Sequence, residues 1–240
     1  MTELTDSHWS DSKFSQGYRD SADDFIPERR KLMDITKFLF GHFMGGRNDR
    51  SVLDLGCGDG LFVQELFRVD PDMEATLVDA SADMLQAARL RLSGFERANF
   101  VRATFQEILA DDPFSAPFDF ILSSLAIHHL DRERKAALFE YAFSHLKPGG
   151  MFVNVDVVRA PTPTLENMYL ALWENWIVSN CDTSKEEELP GVPRKYKENP
   201  DNKPDSLMTQ LRMLERAGFK NVDCCYKFGI FAVFGGTKNV

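Results

Sequence analysis

Val52-Leu53-Asp54-Leu55-Gly56-Cys57-Gly58-Asp59-Gly60 runs an apolar strand into three glycines at alternate positions, and a helical pattern through Leu61, Phe62, Leu66 and Phe67 follows at once. A turn this tight needs positive φ or absent side chains, and it lets a ligand approach the backbone at a helix N-terminus. Dinucleotide sites use G-x-G-x-x-G, but here Leu61 stands where the third glycine would fall. That sets nicotinamide cofactors aside, and the missing G-x-x-x-x-G-K-[ST] excludes a P-loop. Nineteen residues past Gly60, Leu77-Val78-Asp79 ends a second strand with a carboxylate where such folds bond the two hydroxyls of a ribose. Glycine turn and distal acid together read as a nucleoside site; alone, the turn would be only a strand-to-helix connection.

Outward from this stretch, strands and helices alternate. Strands are expected at Ser51 to Leu55, Ala75 to Asp79, Asn99 to Arg102, Phe118 to Ser123 and Met151 to Val158, with helices through Met84 to Leu92 and Asp131 to Leu146. Strict alternation implies βαβ crossovers and a parallel sheet covered on both faces. A helix through Leu207, Met208, Leu211 and Leu214 is capped by Asp205 or Ser206 and stopped by Gly218. Asn221 to Tyr226 and Ile230 to Gly235 follow with a gap too short for a crossover, so they form an antiparallel hairpin. The expected fold is therefore α/β, a doubly wound and mostly parallel sheet ending in an antiparallel hairpin. Ahead of it, Phe25 to Phe43 reads as a helix begun near Pro27 and carrying Leu32, Ile35, Phe38, Leu39 and Phe43. Ser10 to Asp24, with Phe14 and Tyr18, reads either as a flap or as a frayed terminus.

The chain of 240 residues is 43% hydrophobic and 27% charged, enough for a full core without staples. Its four cysteines form no C-x-x-C and have no histidine at zinc-ligand spacing, so no metal site and no disulfide framework is expected. A net charge of −9 is the wrong sign for a protein that binds by neutralising phosphates, which argues against direct nucleic-acid binding. The polar, acidic start and the absence of a long apolar run point to a cytoplasmic chain without a membrane span.

At these residues the chain resembles the class I S-adenosylmethionine (SAM) dependent methyltransferases over nearly its whole length. Asp54 to Gly60 is similar to the family's opening motif, Asp79 to its ribose acid, Leu146-Lys147-Pro148-Gly149-Gly150 to the start of its fifth strand, and the terminal hairpin to its reversed seventh strand. The resemblance implies a seven-stranded sheet with SAM as cofactor. It sets Gly56 and Gly58 against the methionine moiety, Asp79 on the ribose, and Ala80 and Met84 beside the adenine. Where the family usually has an acid after strand three, Ala103-Thr104-Phe105 offers Thr104, with Phe105 as adenine neighbour. Asp54, Cys57, Ser124, Leu125 and, from the flap, Tyr18 complete the implied cofactor contacts. On this reading residues 1–45 are an N-terminal flap and helix, and residues 46–240 are the SAM-binding domain, a monomer or homodimer.

The acceptor side is expected beyond strand four, at Ser123-Ser124-Leu125-Ala126-Ile127-His128-His129-Leu130, and at Asp156 in Val153-Asn154-Val155-Asp156-Val157. His129 and Asp156 are the candidate catalytic residues, one as base and the other as orienting acid; a loop histidine and a solvated strand-end carboxylate are the bland alternatives. Six of the eleven prolines fall between Pro161 and Pro204, inside an insertion whose Leu165, Met168, Tyr169, Leu172, Trp173, Trp176 and Ile177 share one helical face. That face is either core or the lining of a helical lid over residues 161–205, with Tyr169, Trp173 and Trp176 against the substrate. The stretch from Asp182 to Asp205 reads as a solvated hinge or loop.

Within the class, the N-terminal segment, the insertion and Leu211 to Phe219 look like the carboxy-SAM synthase type of enzyme in wobble-uridine modification and its methyltransferase relatives. That type uses an arginine in the final helix for the extra carboxylate; here Met213 occupies the place and Arg212 lies one residue off. Methyl transfer to a small molecule is therefore the expected activity. Carboxy-SAM chemistry and non-enzymatic SAM-dependent regulation of a partner are the rivals.

Overall fold

The computed structural model describes Gly17 and residues 21–46, 49–180 and 191–239. Helix α1 (Arg29–Met44) leads into β1 (Ser51–Leu55), α2 (Leu61–Phe67), β2 (Glu74–Asp79), α3 (Ala82–Arg91), β3 (Ala98–Arg102), α4 (Phe105–Asp111), β4 (Phe118–Ser124), α5 (Arg132–Ser144) and β5 (Leu146–Val157). The insertion carries α6 (Pro163–Asn180) and α7 (Val192–Glu198); then come α8 (Leu207–Ala217), β6 (Lys220–Phe228) and β7 (Phe231–Thr237). The seven strands form one sheet in the order β3-β2-β1-β4-β5-β7-β6, with β1 to β5 parallel and β7 antiparallel to both its neighbours. This is the doubly wound sheet with a terminal hairpin that the alternating pattern predicts.

Alternation along β5 shows why both faces are buried. Met151, Val153, Val155 and Val157 join Leu32, Phe40, Leu66 and Trp173 on one face, while Phe152 joins Leu138, Phe139, Leu214 and Phe219 on the other. At the amino ends of the strands Asp119 ties three elements together. It accepts from the Ser51 amide (3.0 Å) and hydroxyl (2.9 Å) and pairs with Lys147 (2.7 Å). The carboxyl ends are left for function.

Three expectations are corrected. The N-terminal helix is broken: residues 21–25 are helical, but Glu28 sits in the left-handed region (φ 55°) and α1 starts at Arg29. Ile26 precedes a proline, which disfavours helical backbone there, and Phe38, expected on the buried face, is 69% exposed. The stretch read as a loop holds α7, since Pro193 sits in the first turn, where a missing amide costs nothing. The apolar face of α6 is narrower than its spacing suggests. Trp173 and Ile177 are buried, Tyr169 and Trp176 are half-buried, and Met168 and Leu172 are exposed.

Phe152 is fully buried between Phe139 and Phe219. Phe152→Ala is expected to destabilise the protein by about 3–5 kcal/mol in urea unfolding with an unchanged m-value, as a large-to-small core substitution does.

Candidate active site

The strand order reverses between β1 and β4, and a doubly wound sheet opens a ligand crevice at the carboxyl ends of such strands. The glycine turn after β1 lies there with Gly56, Gly58 and Gly60 at φ 75°, 54° and 75°. A Cβ on Gly56 would come 2.5 Å from the Ala126 Cβ and 3.2 Å from the Phe105 ring, whereas one on Gly58 would enter open space. Gly56 is thus needed for packing, and Gly58 leaves room for a ligand. The Gly56 and Cys57 amides donate to the Val78 carbonyl (2.8 and 2.9 Å). Cys57 itself is buried, and burial pushes its thiol well up, which leaves it inert.

Asp79 holds this turn closed from β2: one carboxylate oxygen accepts the Gly58 amide and the other the Ser81 amide, both at 2.8 Å. The Ala80 amide bonds this carboxylate too, and its remaining lone-pair capacity can take a hydroxyl. Asp54 is different. It is 0% exposed, and neither of its oxygens has a partner among the described residues. Burial, reinforced by the charges of Asp79 and Asp59, holds its carboxyl well above the usual carboxylate range. A carboxylate cannot sit ionised in such a place without a cation.

Around the crevice, Ala80 is half-buried and Met84 buried at the start of α3. Phe105 overhangs Gly56. Thr104 has a local duty: its hydroxyl accepts the Glu107 amide (3.0 Å) while Glu107 accepts the Thr104 amide (2.7 Å), a capping box that starts α4. Ser124 ends β4, and Leu125 follows in the left-handed region (φ 52°), its amide held by the Val155 carbonyl at 2.8 Å. Strain of this kind costs about 1–3 kcal/mol for a non-glycine residue and gathers at functional sites. Tyr18 lies outside the described residues.

Past Leu125, a 3₁₀ turn (Ile127–His129) presents the two histidines, whose rings lie 4.0 Å apart. The sequence singled out His129, but it is His128 that meets Asp156, Nδ1 to Oδ1 at 2.6 Å with both groups buried. His129 bonds instead to the Asp201 carbonyl (3.2 Å), and burial beside His128 pushes its pKa down to about 3. The second oxygen of Asp156 is buried without a partner among the described residues, and so is the hydroxyl of Tyr196 on α7. Tyr196 is the residue that sequence reasoning missed. Its ring lies 5.6 Å from Trp173 and 6.1 Å from His128, and burial with the nearby Asp156 and Glu166 charges pushes its phenol up. Of the proposed lid aromatics, Trp173 is tied to the Phe25 carbonyl (2.6 Å), Trp176 to Glu28 (3.4 Å), and Tyr169 lies under Lys227 (4.0 Å). Among the described residues no cluster of histidine, cysteine, aspartate or glutamate could hold a metal, and no helix is long and apolar enough to cross a membrane.

Residues 53–152, which include the glycine turn, Asp79 and the histidines, match a methyltransferase domain family. A carboxy-S-adenosyl-L-methionine synthase of Aeromonas salmonicida is 28% identical over 189 residues, covering 73% of this chain and 71% of its own. Among solved structures, an O-methyltransferase family protein of Burkholderia thailandensis superposes with TM-score 0.68 at 16% identity, over 95% of this chain and 60% of its own. Magnesium protoporphyrin IX methyltransferase of Synechocystis, solved with bound S-adenosylhomocysteine, gives TM-score 0.68 at 11% identity over the full length of both chains. The chain thus spans well under two thirds of the Burkholderia protein and all of the Synechocystis one.

Asp54 yields a prediction with a definite sign. A carboxyl raised in the folded state binds more protons folded than unfolded, so it costs stability as pH rises above the unfolded value. Asp54→Asn should therefore be more stable than the parent in ligand-free protein at pH 8, and the difference should shrink toward pH 4. Denaturant unfolding at the two pH values checks it.

Proposed function

Since the chain carries a class I SAM-dependent methyltransferase domain, we propose that it transfers the methyl group of SAM to a small neutral acceptor, a hydroxyl or an uncharged amine, bound between Asp156 and Tyr196. The observation that carries this reading is the buried His128–Asp156 pair at the mouth of the crevice, with two unpartnered oxygens, Asp156 Oδ2 and Tyr196 Oη, in the same neighbourhood.

The residues fit the cofactor. Asp54 supplies a buried carboxylate in need of a cation, which matches the ammonium of a methionine moiety; Gly58 gives the backbone room; Asp79 keeps free lone pairs for ribose hydroxyls. SAM brings a methyl group on a sulfonium, a good leaving group that asks of the protein mainly alignment. The protein's share is then proton management. With its Nδ1 held against Asp156 Oδ1, His128 fixes the carboxylate so that its free Oδ2 can take the acceptor's proton.

The acceptor class follows from hydrogen-bond arithmetic. A group between the two orphan oxygens has to donate to Asp156 and accept from Tyr196. A hydroxyl or neutral amine does both; a carboxylate cannot donate and would face the charges of Asp156 and Glu166. The carboxy-SAM alternative finds less support, because Met213 packs in the core and Arg212 faces solvent, so α8 offers no cation to the crevice.

S-adenosylhomocysteine release, measured with SAM and a matched panel of phenol, catechol, aniline and benzoate, tests the reading. Turnover is expected with hydroxyl or amine members and not with benzoate. His128→Ala should lower it by about 10²–10⁴ while SAM affinity stays within about twofold. Turnover of benzoate alone, or carboxy-SAM found by mass spectrometry on the purified protein, would replace this proposal. His129→Ala should cost less than tenfold.

A further inference from the structure

The return segment of the insertion crosses the rim immediately behind the two histidines. The Lys203 amide donates to the His128 carbonyl (2.8 Å), the Asp201 carbonyl meets His129 (3.2 Å), and Arg159 pairs with Ser206 in a single parallel bridge beyond β5. Residues 201–205 therefore form a strap across the turn that carries His128.

The strap is held from below by a buried cation. Lys135 on α5 is 0% exposed, an unusual place for a lysine. Its ammonium donates to the Lys203 carbonyl and to Asp205 Oδ2 (3.1 Å), while Arg132 holds Asp205 Oδ1 (2.6 Å). Backbone bonds finish the clamp, the Asp205 carbonyl accepting from the Arg159 amide (3.0 Å) and from Gln210 (3.2 Å). One lysine thus grips the carbonyl of the residue whose amide fixes His128 and the carboxylate two residues beyond it. A solvent-exposed strap would need none of this, and burying an ammonium only to tie down a loop is costly unless the loop's position matters.

We propose that Lys135 is a positioning residue: by clamping the 201–205 strap it sets the backbone of His128 so that the imidazole meets Asp156. The inference rests on the reading of that pair as the proton acceptor, and it extends it to a residue that touches neither cofactor nor acceptor. The groups that face His128 are Asp156 from β5, His129 beside it and Tyr196 from α7; Lys135 reaches it through the strap and also through its charge, which is felt at Asp156, and Asp205→Asn, which keeps that charge, separates the two routes.

Lys135→Met keeps the length and apolar stem of the side chain and leaves Asp205 with Arg132 as partner. In the full chain, nitrogen-edited NMR of the His128 Nδ1 proton and amide hydrogen exchange at Lys203 read the two ends of the proposed linkage. The expected result is exchange at Lys203 faster by about tenfold or more, with loss of the His128 Nδ1 signal, while the central strands keep their protection. Asp205→Asn, which removes the clamp's acceptor charge and keeps its shape, should do the same and decides the matter if the methionine variant does not fold. A freed strap with the His128 signal intact overturns the proposal, and so does an unchanged strap. Both readouts are taken without acceptor, so they stand whether or not methyl transfer to the panel is found; failure of turnover alone would strike the acceptor reading instead.

Discussion

Burying a carboxylate in a protein interior is costly unless something answers its charge, and three of the five buried aspartates among the described residues organise the carboxyl rim of the sheet. Asp54, Asp156 and Asp205 are 0%, 1% and 5% exposed. Asp205 is answered by two cations, Lys135 and Arg132, and becomes a structural clamp. Asp156 is answered by one imidazole and by the amide of Val157, with one oxygen left over, and becomes half of a pair that can move a proton. Asp54 is answered by nothing among the described residues, and its carboxyl is held well above the usual range. The same side chain thus takes three roles according to what the fold sets against it.

The sheet makes this possible by leaving one edge open. Asp119, Lys147 and Ser51 tie the amino ends of β1, β4 and β5 together, and helices cover both faces, so the carboxyl ends are where irregular backbone gathers. Gly56 and Leu125, both at positive φ, come from the adjacent strands β1 and β4 and bring two chains closer than ordinary backbone allows. The short approach of Ala126 to Gly56 couples the cofactor turn to the histidine turn.

The insertion is less a loose cover than a braced one. Trp173 and Ile177 belong to the main core, Trp173 is bonded to the Phe25 carbonyl, Glu166 takes the Ala160 amide (2.7 Å), and the strap is clamped by Lys135. Both ends of the segment are therefore fixed to the sheet domain.

Local sequence was enough for the elements and for the glycine turn with its partner Asp79. Strand periodicity, the glycine spacing and the distance to Asp79 each depend on residues near one another in the chain, and their consequences are set by backbone sterics and helix geometry. The break at Glu28 and helix α7 have local causes, Pro27 and Pro193, that apolar periodicity does not weigh, whereas the exposure of Phe38 is decided by packing partners far away in the chain. The choice between His128 and His129 was likewise out of reach: two adjacent histidines are equivalent by spacing, and only the register of β5 against β4 puts Asp156 beside one of them. Tyr196 and Lys135 carry no motif at all, and Asp205 is legible only as a candidate helix cap, a place that Ser206 takes. Their roles arise where α5, α7 and the strap meet across the rim, since burial and charge pairing are properties of the three-dimensional neighbourhood that no local pattern encodes.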